Sequence, residues 1–484
     1  MLETVSTARQ LRSFGLSLLA SVLPAEDDSA EARFLRSHGF GGDAPDEHLD
    51  CCLANPPESD WRLLRLAEAL GLNRIELVVT AIAAGVETDL MCGRAIAHLQ
   101  APLGGSRPTF GLLCAALRGL DREGDVVAAI LTGAGASSGL LQIQNDGAPL
   151  AERSVSVPVP LCLALDRRDP AAERANWPGT ILGRGGIRDI PLPPSILADA
   201  GRQARGLAGG AQTALALRSG SAAEAKAVAC EIAEALGRRP CFIDADNSAR
   251  AAAATSGLGP WLALQDALPV FCFELGPGER KALPGLPHYR GPRLAVCGPE
   301  GSLELGGETI PSWIIGVAPK AERIDLWRTA LGQIPHDNGL AQLLASSHRH
   351  GSGRIAQLGR LARHQSRLDG RAEPQLQDVV AASWTAEGAG LEALAQPLPD
   401  PIPDEALVMT PGLRDELGRL LLRCRGREGL VDGLGASAAA KYRPGVRALF
   451  TGPSGTGKTL AAGWLATRLG LPLYRVDLAA VTSK

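Results

Sequence analysis

Val446-Arg447-Ala448-Leu449-Phe450 leads through Thr451 into Gly452-Pro453-Ser454-Gly455-Thr456-Gly457-Lys458-Thr459, followed by residues 460–469, Gly470 and the segment 473–476. The first five residues read as an apolar strand, and the glycine-rich stretch matches the pattern GxxxxGK[ST]. Residues 460–469 read as a helix ended by Gly470, and 473–476 as a second strand ending at Asp477. Each residue type has a physical reason. The glycines let the backbone take strained turns and bring its N–H groups against phosphate oxygens. A helix starting there adds the positive end of its dipole to the same anion. Lys458 would neutralise charge on the β- and γ-phosphates, and the Thr459 hydroxyl would ligate Mg²⁺. With 57 glycines and six lysines among 484 residues, a chance match is expected in roughly one of a hundred such chains; the strand–loop–helix setting lowers that further.

Gly452-Pro453-Ser454-Gly455-Thr456-Gly457-Lys458-Thr459 resembles the Walker A loop of AAA+ ATPases, where Pro follows the first Gly and Thr-Gly-Lys-Thr closes the loop; Ser454 departs from the commonest second proline. Leu434-Gly435 resembles the loop that contacts adenine in that family, and Val481-Thr482-Ser483-Lys484 the lead-in to the substrate-gripping pore loop. The close match covers residues 405–484. The resemblance implies a nucleotide-binding set of Gly452, Pro453, Ser454, Gly455, Thr456, Gly457, Lys458, Thr459 and Leu460 with Leu434 and Gly435. It also implies ATP and Mg²⁺ as cofactors, with Thr459 as the metal ligand. By the family pattern Walker B, sensor 1 and the arginine finger come later than Lys484. No catalytic residue is therefore assigned within the chain, which is expected to be truncated at its C-terminal end and not hydrolytically competent alone. The full-length protein is expected to be an ATPase that self-associates into a ring, a hexamer by the family habit, and acts on a protein substrate or large protein assembly.

A search for repeats finds a second copy. Ala216-Leu217-Arg218-Ser219-Gly220-Ser221-Ala222-Ala223-Glu224-Ala225-Lys226-Ala227 lies on 448–459 at a constant offset, with Gly220 on Gly452 and Lys226 on Lys458. Two of the six lysines thus share one slot. The differences are chemical: Ala225 replaces Gly457, Ala227 replaces Thr459 and removes the Mg²⁺ ligand, and Glu224 adds negative charge. Val270-Phe271-Cys272-Phe273-Glu274-Leu275 is a candidate Walker B strand with one carboxylate where two are needed, and 294–297 is a candidate sensor strand followed by Gly298. Arg323, Trp327 and Arg354 sit in helical stretches resembling an AAA+ lid. This copy reads as an AAA-like module kept for architecture with catalysis lost.

Nearer the N-terminus, Arg9 and Arg12 precede an apolar run at 14–23 that reads as an amphipathic helix, and 24–58 reads as a polar, acidic loop. Leu63, Leu66, Ala67 and Leu70 recur at helical spacing up to Gly71, and Asn73 with Glu76 forms a capping box for the next helix. Residues 140–144, the turn Asn145-Asp146-Gly147 and residues 155–165 read as short strands, which suggests helices followed by a small β-wing. A DNA-reading second helix should present Arg, Lys, Asn or Gln to base edges, but residues 73–84 offer Arg74 amid Leu77, Val78, Val79 and Ile82. Packing or protein contact is the better reading, and nucleic acid is not an expected partner.

Composition agrees. Apolar residues make up 45%, charged residues 21% and aromatics 4%, with net charge −3; this excludes a disordered, collagen-like or disulfide-scaffold protein and a generic polyanion binder. The uncharged stretch 126–145 has membrane length, but Gly133, Gly135 and Gly139 with Ser137 and Ser138 interrupt it, so no membrane span is expected. Ten cysteines without a CxxC pair point to buried thiols in a cytoplasmic protein. The expected fold class is multidomain: a mainly α, winged-helix-like N-terminal domain followed by α/β P-loop NTPase (AAA+) modules with parallel sheets. The expected parts are an N-terminal helix and polar loop (1–58), the winged-helix-like domain (59–177), a linker (178–195), the degenerate module (196–395), a proline-rich linker (396–404) and the start of an active-type module (405–484). The layout resembles bacterial ATPases encoded alongside phage-tail-like contractile injection systems. Three functions follow as candidates: a protein-remodelling ATPase, a non-motor scaffold or assembly factor holding ATP as a structural ligand, and an ATP-dependent DNA-binding regulator.

Overall fold

The computed structural model describes residues 10–39, 44–120, 125–166, 180–181, 187, 189–210, 212–246, 256–332, 339–386, 395–397, 402–433, 446–471 and 473–476. The chain divides into two compact units: Met1–Gly186 with Gln203–Arg218 and Ala229–Trp313, and Ile187–Arg202 with Ser219–Val228 and Ile314–Lys484.

The first unit opens with three helices, α1 (Leu11–Ala20), α2 (Ala30–Ser37) and α3 (Pro45–Ala54). Leu11, Phe14, Leu16 and Leu19 give α1 its buried face. The two helices that follow correct the loop expected over 24–58. Ser29 caps α2, its side chain accepting from Ala32 N–H at 3.0 Å, and Pro45 is the first residue of α3. Each buries one pair of residues, Ala32 with Leu35 and Leu49 with Cys52, too few for a period to register.

The two helices expected on either side of Gly71 are present as α4 (Trp61–Leu70) and α5 (Arg74–Thr88), with Gly71 ending α4 at φ 74° and the Asn73–Glu76 capping box opening α5. Every α5 residue from Ile75 to Ala83 is buried, and Arg74 is held by Asp50 at 2.5 Å. Glu76 is 1% exposed; its carboxylate accepts from Asn73 N–H at 3.0 Å and from Gly135 N–H at 2.6 Å. Next come α6 (Leu90–Leu99), α7 (Phe110–Leu117), α8 (Val126–Leu131) and α9 (Ala134–Ser138). The last two break the stretch 126–145 at its first glycine, and among the described residues no helix is long and apolar enough to cross a membrane. A two-stranded antiparallel pair, β1 (Gln142–Gln144) and β2 (Ser154–Ser156), follows, with Asn145 at φ 67° in its connection. The strand expected to run on to 165 gives way to α10 (Val159–Asp166). Pro158 and Pro160 have no N–H for a ladder and suit a helix start.

The same unit holds a six-stranded sheet. Its members are β3 (Thr180–Ile181), β4 (Ala214–Arg218), β5 (Arg239–Asp244), β6 (Ala267–Cys272), β8 (Arg293–Cys297) and β11 (Ser312–Ile314), in the order β11-β4-β8-β6-β5-β3. Strands β4, β8, β6 and β5 pair in parallel, and β3 closes the edge antiparallel. α11 (Pro194–Ala208) precedes β4, α12 (Ala222–Ala235) joins β4 to β5, and α13 (Leu258–Gln265) precedes β6; α11 up to Arg202 and α12 up to Val228, Glu224 included, belong to the second unit. All five β4 residues are buried, as a strand covered on both faces requires. The candidate sensor segment 294–297 falls on β8, whereas the candidate Walker B segment 270–275 starts on β6 and runs past its end, leaving Glu274 outside the strand. β4 stands where the strand order reverses, and ligands of such sheets collect beyond the carboxyl end of that strand. A three-stranded sheet of β7 (Arg280–Ala282), β9 (Ser302–Leu305) and β10 (Glu308–Thr309) accompanies it.

In the second unit, α14 (Lys320–Leu331), α15 (Leu340–Ser347), α16 (Ser352–Leu368) and α17 (Leu376–Ala386) pack around Trp327, Leu344, Ile355 and Leu358. Arg323 is buried in this bundle and donates to the carbonyls of Ala318 (2.8 Å) and Ala345 (2.9 Å). The unit ends with β12 (Ala395–Pro397), α18 (Pro411–Gly433), α19 (Lys458–Leu469) and β13 (Tyr474–Val476). Thr410 and Pro411 start α18, with Arg414 N–H donating to Thr410 O at 3.0 Å. No disulfide joins the ten cysteines, and burial pushes the Cys92, Cys162 and Cys241 thiols up to about 12. Such thiols are not nucleophiles near neutral pH.

Candidate functional site

The glycine-rich loop stands where α19 begins. Gly452, Gly455 and Gly457 have φ of 147°, 83° and 83°, backbone that residues with a Cβ rarely adopt. Thr456 Oγ1 donates to Pro453 O at 2.9 Å and ties the loop. Lys458 is the first residue of α19, and its ammonium donates to Gly452 O at 3.0 Å and Pro453 O at 2.6 Å. Lysine and loop therefore already face one another. Thr459 is exposed and Leu460 half-buried.

Gly457 at the N-cap offers α19 no side-chain cap, and its first turn has no acid. The amides there lack helical acceptors, and the dipole's positive end is uncompensated by any local carboxylate. This is the electrostatic setting for an anion. The helix is held from behind. Ala461 and Leu465 pack with Leu407 and Leu417, Ile402 N–H donates to Thr467 Oγ1 at 2.9 Å, and Asp404 accepts from Trp464 Nε1 at 2.7 Å while pairing with Arg468. Gly470 ends it at φ 65°.

Some expectations are corrected. Residues 446–450 form no strand, and Leu449 is 88% exposed. A strand needs a ladder to satisfy its backbone, and none of the described strands pairs with this segment. The second expected strand exists as β13 but pairs antiparallel with β12, Tyr474 opposite Pro397 and Val476 opposite Ala395. Leu434 and Gly435, Asp477 and residues 481–484 lie outside the described residues.

The slot shared by Lys226 and Lys458 in sequence is not shared in structure. α12 begins at Ala222, so Lys226 is its fifth residue, whereas Lys458 is the first of α19. The positions matching Ser454 to Gly457 are already helix. Ala225 is wholly buried and Glu224 is 4% exposed. Sequence reading noted Glu224 as a charge but missed its partners. Ser219 Oγ donates to it at 2.7 Å and Gly353 N–H at 3.3 Å, the latter 129 residues away.

Residues 448–484 match the family model described as "ATPase family associated with various cellular activities (AAA)". No curated protein matches the chain. The family match takes in the whole glycine-rich loop and α19, and it supports a nucleotide-binding segment of an AAA+ ATPase with the α/β P-loop NTPase fold.

Proposed function

We propose that residues 446–476 carry the ATP site of an AAA+ ATPase that couples ATP hydrolysis to the remodelling or assembly of protein complexes, working as a ring of identical chains. The region 196–395 serves in this reading as an AAA-like module kept for architecture. The observation that carries the proposal is the start of α19, where a loop of three positive-φ glycines, an acid-free first turn and the Lys458 ammonium converge. ATP with Mg²⁺ would supply the phosphoryl group for transfer to water. The loop amides would hold the phosphates, Lys458 would exchange its two carbonyl acceptors for phosphate oxygens, and Thr459 would hold the metal ion.

Protein contact is favoured over DNA reading for the helix–turn–helix and wing, because α5 is buried from Ile75 to Ala83 and Arg74 is held by Asp50. Binding of a fluorescent ATP analogue to the full chain with Mg²⁺ tests the proposal. Lys458→Ala removes a charge-assisted contact of about 2 kcal/mol, so affinity should fall about 30-fold. Thr459→Ala should abolish the gain from Mg²⁺. Equal affinity in wild type and Lys458→Ala would sink the proposal, and salt-dependent duplex binding would move it toward a DNA regulator.

A further inference from the structure

α16 lacks the cap that a 17-residue helix ordinarily carries: its N-cap is Gly351, no side chain of its own caps it, and its first turn has no acid. Glu224, in the first turn of α12, fills this place from a distant part of the sequence. Its carboxylate is 4% exposed, accepts from Ser219 Oγ at 2.7 Å through one oxygen and faces Gly353 N–H at 3.3 Å with the other. Ser219 Oγ in turn accepts from Ser221 N–H at 3.0 Å, and Ser221 caps α12, accepting from Glu224 N–H at 3.4 Å. Two helix N-termini therefore share one buried carboxylate.

The approach is too close for side chains on α16. A Cβ on Gly351 would lie 3.1 Å from the carboxylate, and one on Gly353 would come within 2.3 Å of Ser221 Oγ. The hydroxyl of Ser352, 1% exposed, has no hydrogen-bond partner among the described residues. A buried hydroxyl without a partner, between the two glycines that approach Glu224, is a spare donor.

We infer that the Ser219–Ser221 turn and the N-terminus of α16 form an oxyanion site whose occupant is the chain's own Glu224 carboxylate, an internal ligand that holds α16 in place. An occupied site has no room for an external phosphate, so this part of the chain takes no nucleotide while Glu224 is present. The site accepts a small external oxyanion once Glu224 is shortened, because Glu224→Ala removes the equivalent of acetate and leaves its donors behind.

The test uses the full chain with no nucleotide, so a failure of the ATP site leaves it unaffected. Backbone hydrogen exchange at 351–356 is followed in wild type, Glu224→Ala and Glu224→Gln, with acetate or neutral acetamide added. In Glu224→Ala, exchange should rise at least about tenfold, the loss expected for charge-assisted hydrogen bonds. Acetate should restore protection and acetamide should not. Glu224→Gln, which keeps the shape and drops the charge, should lie between wild type and Ala. Unchanged exchange in Glu224→Ala, or equal rescue by acetamide, overturns the inference. Where Glu224→Ala does not fold, wild-type exchange in Glu224→Gln overturns it.

Discussion

Gly457 is the residue on which the candidate nucleotide site turns, and replacing it with alanine gives a prediction whose size follows from two observations. Its φ is 83°, and a Cβ built on it meets nothing within 4 Å. Sterics with neighbours therefore contribute nothing, and the cost is that of holding an L-residue in left-handed backbone, about 1–2 kcal/mol. If the loop keeps its form, that cost falls on the binding-competent state, and ATP affinity drops about 5- to 30-fold. If the chain escapes the strain by starting α19 earlier, the loop is lost and binding goes with it. Either way Gly457→Ala weakens binding. Gly412→Ala is the control: it lies in α18 with ordinary backbone and open space around its Cβ, so affinity should not change. Titration of the full chain with a fluorescent ATP analogue reads both. A Gly457→Ala affinity within twofold of wild type would refute the reasoning.

Two further outcomes follow from buried or paired carboxylates in the first unit. Glu76→Gln leaves one carbonyl for the two N–H donors of Asn73 and Gly135 and turns an amide donor toward the other; stability should fall by about 2–4 kcal/mol, read as a shift in the denaturation midpoint, and a loss under about 1 kcal/mol contradicts the hub role. Asp27 is held down to about 2, first by its hydrogen bond with His98 and then by the Ser29 N–H. A depressed acid stabilises the fold above its ordinary value of 3.8 and loses that contribution as pH falls toward about 2. His98→Ala should raise the Asp27 value in a carboxylate NMR titration, and an unmoved value removes His98 as the cause.

The sequence carried local signals well and pairwise ones poorly. The capping box at Asn73 and Glu76, the stop at Gly71, the turn at Asn145 and the helix ended by Gly470 all rest on residues within a few positions of each other, and all are present. Around the glycine-rich loop, where pairing decides, sequence reading failed. Residues 446–450 are apolar enough for a strand but have no ladder, and β13 took β12 as its partner. The stretch 155–165 is equally apolar as strand or helix, and Pro158 with Pro160 decided for α10 after β2. Glu224 shows the limit most clearly: its charge was visible, but a helix N-terminus 129 residues away was not.

The two stretches that align in sequence, 216–227 and 448–459, part company in structure over residues that do not include the lysine. Pro453, Gly455 and Gly457 correspond to Ser221, Ala223 and Ala225. Two glycine-to-alanine exchanges favour helix by about 1 kcal/mol each, and α12 duly begins at Ala222, four residues ahead of Lys226. In the C-terminal stretch Gly455 and Gly457 sit at φ 83° and keep those residues out of α19, so Lys458 stands at its first position. Extending the helix by one turn also moves the residue matching Thr456, which is Glu224, into a first turn where a carboxylate is favourable. Alanine at 223 and 225 together with glutamate at 224 thus goes with a helix in place of a loop and a carboxylate of the chain's own at its start. Gly457→Ala introduces the first of these differences where the loop is present.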